Sequence, residues 1–532
     1  MNRPDTENQQ IARNAVLIAI GNIASRALGL LRDIVIADLF GAKGPVSAFR
    51  TAEFIPRQFY DLLVGGMISS ALIPVFSEYA EKDKQTLWQV ASLLLSLALL
   101  VLGVIVIITE LGAEHIARLL GADGLDLTLT TRLLRLTLPA MLFLSLSGII
   151  TGLLQALNRF TFPAFTAASF NAAIVVVTLV GNLFFDVGIE IVAIGLLAGS
   201  IIQIIIQLPG LRDARLTFHL DLQHPVLRRI GRLYQPIILG LVVTFFQTSL
   251  DRRLANGTGE SSLAWMQNAT TLIQFPMGLI VVAISLATLP TLSRYAASTQ
   301  ATSMGASESP ADNQAFITTL IDGIKIVLIL IIPATVALFV LGQPIINLLF
   351  EHGAYEAFDT QQTNLALRFY LLGLIFAAVD QLLVFAFYAR QNTLTPALVG
   401  VASVGVYLLA VWLPTLTRSL QMTDLVLADS LKHIGHLIMM MWLIRQFGVI
   451  GGYGLMTTLI KSALAALGMG GVLWIISAGV SAWLPPTNTL NEIIIVMSSV
   501  ITGGGMYLVF LFVLQVPELQ TLRRLVAQKL SL

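Results

Sequence analysis

The stretch "AFRTAEFIPRQFYDLLVGG" (48–66) places Arg50, Glu53, Arg57 and Asp61 at spacings of three, four and four. On a helix these four share one face. The rest of the stretch is apolar or aromatic, and it lies between long apolar runs. A charged stripe facing lipid is costly, so the spacing predicts a stripe turned to a water-filled cavity. The alternative is a solvated helix whose opposite charges support one another. A second charged group sits in "ASRALGLLRDI" (24–34), inside the apolar run from Ala15 to Phe40. Arg26 and Asp33 are seven apart and share a face. Arg32 projects from another face, so one arginine is expected to face a cavity and the other to pair with a neighbouring helix.

The elements that carry these residues are set by composition. The chain of 532 residues is 56% hydrophobic and 11% charged, where soluble domains carry about 25% charged residues. Apolar runs of 18 or more residues recur along its length, each long enough to span a bilayer. The reading is an all-α polytopic membrane protein of about fourteen helices, centred near 27, 63, 98, 145, 174, 199, 242, 278, 334, 378, 405, 434, 468 and 503. A net charge of +1 says nothing about nucleic acid, no soluble basic domain is seen and no nucleic-acid partner is expected; the absence of cysteine excludes disulfides and thiolate metal sites. Lys and Arg concentrate in alternate loops, which places both termini in the cytoplasm. The segment "STQATSMGASESPADNQ" (298–314) reads as a flexible tether, and "ELQTLRRLVAQKL" (518–530) as a basic amphipathic helix.

Two internal echoes indicate a duplication. "SSALIPVFSEYA" (69–80) and "SLATLPTLSRYA" (285–296) coincide at six positions. "LLQALNRFTFPAF" (153–165) and "AFYARQNTLTPAL" (386–398) each separate an Ala from a Pro-Ala pair by six residues. Both echoes link spans six apart, as parallel repeats in transporters do. The expected organisation is two pseudo-symmetric six-helix lobes, 1–215 and 216–450, followed by two helices and a tail over 451–532. The counterpart of the charged stripe in span eight is Met266, Ala269, Ile273 and Met277, so the repeat makes the same helix without charge.

Other intramembrane charges are open to two readings. Asp251, Arg252 and Arg253 close span seven as interfacial residues or as a site. Asp322 and Lys325 form a local pair, and Asp380 stands alone mid-span. Asp429, Lys432, His433 and His436 are a proton relay or a structural cluster. Metal binding is disfavoured because Lys432 opposes a cation. No GxxxxGK[ST] loop, HExxH motif or catalytic carboxylate pair occurs, so the chain is not read as an enzyme and energy must come from gradients or the membrane potential.

"SRALGLLRD" (25–33) with "FGA" (40–42), "SSALIPVFSEY" (69–79) and "GLLQALNRFTFPAF" (152–165) with Asn171 resemble the MurJ/MviN lipid II flippases of the MOP exporter superfamily. So do "LDRRLANGTGESSL" through "LPTLS" (250–293), "FEHGAYEAFDTQQT" (350–363) and "FYARQNTLTPA" (387–397). The resemblance implies a bacterial inner-membrane transporter for peptidoglycan biosynthesis. It implies alternating access around an Arg-lined cavity and a groove on helices 13 and 14 for the lipid tail. The substrate implied is lipid II or a related polyprenyl-pyrophosphate glycolipid. Arg26 and Arg32 match the family's helix-1 arginines, and Arg50, Glu53, Arg57 and Asp61 join them as substrate-binding candidates. Several fixed arginines suit a pyrophosphate. Asp251 matches an acid that some members use to place sodium, so Na+, H+ or membrane-potential coupling is implied, with no cofactor. The implied partners are membrane lipids and the cell-wall synthesis machinery, with the chain acting as a monomer. Family acids are replaced by Ser47 and Gly65, and family arginines by Tyr60 and Ala269. These departures leave two alternatives: a divergent superfamily exporter of another lipid-linked oligosaccharide or amphipathic small molecule, and a transport-inactive envelope scaffold.

Overall fold

The computed structural model describes residues 3–61, 72–124, 126–185, 187–303, 310–448, 453–485 and 488–518. The expected amphipathic tail beyond Glu518, and Gly65, lie outside them. Helices dominate throughout, as uninterrupted apolar sequence requires when no water is available to the backbone. The first unit contains α1 (Arg3–Phe40), α2 (Gly44–Tyr60), α3 (Ile73–Lys82), α4 (Lys84–Leu111), α5 (Ala113–Leu119), α6 (Leu127–Thr137), α7 (Ala140–Ala156), α8 (Thr161–Phe184), α9 (Glu190–Ile205) and α10 (Pro225–Thr258). After α11 (Ser262–Pro276) come α12 (Val282–Ser303), α13 (Pro310–Phe350), α14 (Ala357–Ala389), α15 (Leu394–Thr415), α16 (Met422–Ile444), α17 (Leu455–Trp483) and α18 (Thr489–Val513).

Among the described residues, ten helical stretches are long and apolar enough to cross a membrane. Leu111, Leu183, Phe184, Trp483 and Phe512 are exposed, which in water would be a liability and in lipid is the favourable arrangement. The chain is an all-α polytopic membrane protein.

Local signals set the helix ends. Asp83 accepts from the amides of Gln85 and Thr86 to start α4, and Asp126 caps α6. Reciprocal capping boxes start α14 (Glu356 with Asp359) and α16 (Gln421 with Asp424). Within the expected tether, α12 runs on to Ser303 and α13 opens at Pro310, while 304–309 lie outside the described residues. Propagating a helix that packing has already nucleated costs little, and Pro suits a first turn.

By contact the chain forms two compact units, 1–264 with 353–355, and 265–352 with 356–532. In the first, α1 packs on α8, α8 on α9, and α2 on α6 and α7. In the second, α14 packs on α13 and α16, α15 on α16, and α17 on α13 and α18. The second sequence echo has a backbone counterpart. Asn158 after α7 and Gln391 after α14 both adopt left-handed conformations, at φ 59° and 58°. The amides that follow bond the same way: Arg159 N to Leu154 O at 2.8 Å, and Asn392 N to Phe387 O at 3.0 Å. One turn is thus used at corresponding places in each unit.

Candidate charged site of the first unit

Helices α1 and α2 bring Arg32, Asp33, Arg50 and Glu53 into one network. Asp33 Oδ1 accepts from Nε and Nη2 of Arg32 at 3.0 and 2.9 Å, and from Nη2 of Arg50 at 2.8 Å. Arg50 Nη1 donates to Glu53 Oε1 at 3.0 Å. Arg32 Nη1 donates to Asn171 Oδ1 of α8 at 3.2 Å. The Asn171 amide nitrogen in turn donates to the carbonyls of Ser25 and Ala167. Arg50 is 1% exposed and Glu53 5%. Two guanidiniums and two carboxylates cancel, which is the condition for burying them; removing one partner strands the others.

Small residues allow this approach. A Cβ on Gly21 would lie 2.0 Å from the Ala164 carbonyl oxygen, and one on Gly29 would lie 3.4 Å from Asn171 Nδ2. Gly29 therefore admits the α8 amide to the α1 charges.

Helix α10 closes the network from another side. Arg252 Nη1 donates to the Arg50 carbonyl at 2.8 Å, with its guanidinium 4.6 Å from the centre of the Phe54 ring. Asn256 donates to Thr51 Oγ1 and to the Leu120 carbonyl. Arg253 donates to the carbonyls of Arg118 and Leu119. Arg252 and Arg253 thus tie α10 into the first unit, and Asp251 beside them is half-buried.

The four-residue stripe therefore divides. Arg50 and Glu53 are buried in protein, not turned to water, while Arg57 and Asp61 are exposed. The difference comes from α1, whose Asp33 supplies the countercharge Arg50 needs. Arg32 is the α1 arginine that pairs with a neighbouring helix, and Arg26 is half-buried. Of the positions where family charges are replaced, Ser47 and Ala269 are fully buried and Tyr60 is half-buried. The sequence marks Asn171 only as part of a family motif and leaves Arg252 as interfacial or part of a site; it gives no role to Asn256, whose contacts are set by packing.

The second unit contains a cavity of about 470 Å³ between α13, α14 and α17, lined by Val336, Phe339, Leu371, Leu467, Gly470 and Gly471 among others. Its Thr335 hydroxyl is spent on the Ile331 carbonyl, so the lining is apolar.

The family model described as "Lipid II flippase MurJ" matches residues 36–493. The chain belongs to this family. The family is one of transporters, not enzymes, in keeping with the motifs read from the sequence. Arg26, Arg32 and Asp33 lie just ahead of the matched stretch. The chain is 28% identical over 411 residues to "Probable lipid II flippase MurJ" of Haemophilus influenzae, covering 73% of this chain and 79% of that protein. It is 27% identical over 473 residues to the similarly named protein of Bdellovibrio bacteriovorus, covering 87% and 88%. A solved structure described as "Lipid II flippase MurJ, inward closed conformation" superposes with a TM-score of 0.77 at 24% identity, over 93% of this chain and 98% of that one. At that identity the likeness speaks for the fold.

Proposed function

We propose that this chain moves lipid II, a polyprenyl-pyrophosphate-linked peptidoglycan precursor, from the inner to the outer leaflet of a bacterial plasma membrane by alternating access. The observation that carries the reading is the family match over residues 36–493. Fourteen spans, lobes at 1–215 and 216–450, a terminal pair over 451–532 and cytoplasmic termini complete the proposal, supported by the sequence repeats and the Lys/Arg bias. The chain acts as a monomer beside the cell-wall synthesis machinery.

Two kinds of arginine serve the substrate in this reading. Arg57 and Arg26 meet the pyrophosphate, which guanidinium groups bind through paired charge-assisted hydrogen bonds. Arg32, Arg50 and Glu53 hold α1 and α2 so that those groups are correctly placed. Asp61 stays a substrate-binding candidate on the exposed end of the stripe, and Asp251 is the candidate for placing a coupling ion. The apolar cavity of the second unit receives part of the polyprenyl tail.

The test is rescue of a bacterium depleted of its own lipid II flippase. The wild-type chain should restore growth and cell shape, and Arg57→Ala should fail at equal membrane level. A wild-type chain that reaches the membrane in normal amount and gives no rescue would overturn the reading. That result would favour an exporter of another lipid-linked oligosaccharide or a scaffold.

A further inference from the structure

Asp380, which stands alone in the sequence of its span, has a partner in the fold. His436 Nδ1 lies 2.7 Å from Asp380 Oδ1, joining α16 to α14. Both side chains are almost enclosed, at 14% and 12% exposure. Asp429, Lys432, His433 and His436 recur at three, four and seven residues along α16, so they share one face. Lys432 Nζ donates to Asp429 Oδ1 at 2.6 Å, and His433 Nε2 lies 3.7 Å from Asp429 Oδ2. Asp429 and His433 are the more exposed members. The row ends at an enclosed His–carboxylate pair.

The two helices are held close at this level. A Cβ on Gly373 of α14 would lie 2.8 Å from the Ser430 Cα of α16. The Ser430 hydroxyl donates to the Phe369 carbonyl at 2.7 Å. The register that brings His436 to Asp380 is thus set by packing.

Charged groups on the surrounding elements are engaged elsewhere. On α14, Arg390 stacks between Phe316 and Phe447, and Arg368 lies over Phe339. On α13, Lys325 pairs with Asp322 and Glu518. On α12, Arg294 bonds to Thr291 of its own helix, near Tyr295. Arg445 lies in the turn after α16, and α15 contributes the buried Tyr407.

We propose that the Asp380–His436 pair is a proton-binding site whose occupancy biases transport. The site takes a proton and not a metal ion, because Asp429 already has the Lys432 ammonium and Asp380 has one imidazole. Imidazole is the side chain whose ordinary range falls at physiological pH. A charge change inside a tight α14–α16 contact changes the energy of that contact, which is what a coupling site requires. The proton site itself stands on the geometry; its coupling to transport rests on the flippase reading.

The experiment has two arms on the full chain. In the first, nuclear magnetic resonance follows the imidazole signals against pH. The His436 signal should respond to pH, and the response should differ in Asp380→Asn. A His436 signal that ignores pH, or a response that Asp380→Asn leaves unchanged, overturns the site. In the second, vesicles containing the wild type are loaded with lipid II, and translocation is measured with and without an imposed pH difference. The wild-type rate should change at least about threefold with the difference. His436→Gln and Asp380→Asn should keep the rate measured without it and lose the response. Translocation by the wild type that ignores the pH difference, or a full response in either variant, overturns the coupling. A wild type that translocates nothing under any gradient refutes the flippase reading instead, and leaves the titration arm to decide the site.

Discussion

Arg50 and Arg57 lie two helical turns apart in the same stripe and have different tasks. Arg50 is enclosed between Asp33 and Glu53, while Arg57 is exposed. Arg50→Ala leaves two buried carboxylates short of countercharge, a change that costs roughly 3–5 kcal/mol. It should lower the melting temperature and the membrane level together. Arg57→Ala should shift stability by no more than about 0.5 kcal/mol and act on transport alone. Thermal melts of the two purified variants separate these outcomes. Sequence alone placed both arginines on one face and flagged Arg32 and Asp33. It could not show that Asp33 pairs with Arg50, or that Arg32 reaches Asn171 139 positions away, because such partners are chosen by tertiary packing. Outside the spans, Arg159 holds Asp213 through two parallel hydrogen bonds, and this lowers the Asp213 carboxyl below its usual range. A carboxyl lowered in the folded state adds stability at pH values above its unfolded pKa, near 3.8, and loses it as the pH falls through the folded value. The pair is partly exposed, so Asp213→Asn should cost under about 1 kcal/mol at pH 7. The difference from wild type should shrink towards zero as melts are taken to lower pH.

Turns and close approaches were partly legible at the level of elements. The letter echo between 153–165 and 386–398 pointed to a duplication, and the matching left-handed residues Asn158 and Gln391 give it a physical basis. Asn tolerates that conformation better than Gln. Gln391→Gly should therefore be neutral or stabilising, whereas Gln391→Val should cost on the order of 1–2 kcal/mol, read from denaturation midpoints. Gly21 was silent in the sequence, since nothing local says that the Ala164 carbonyl of α8 will press on it. Gly21→Ala should force α1 off α8 and lower the folded yield. The Ser-rich composition of 298–314 suggests a tether, and α12 and α13 extend into its two ends.

Across the whole molecule, membrane class and family were legible because hydropathy and ordered motifs are written along the chain. The division into units was less so. The duplication suggests a boundary near 215, while contacts divide the chain at 264 and keep α10 with the first unit. The hydrogen bonds from Arg252, Arg253 and Asn256 explain that attachment. The bonds from Arg252 and Asn256 to Arg50 and Thr51 link α10 to the same α2 that carries the buried network, so the candidate coupling residue Asp251 and the candidate substrate residues share one compact body. The apolar cavity makes a separate prediction. Gly471→Phe, placed where a Cβ meets nothing within 4 Å, should fill it and slow transport of a long-chain substrate more than that of a short-chain analogue. The most direct measurement of the central claim is lipid II translocation by the purified chain in vesicles. Transfer should run well above that of protein-free vesicles and be abolished by Arg57→Ala in a variant that melts like the wild type. Wild-type transfer no faster than in protein-free vesicles would contradict it.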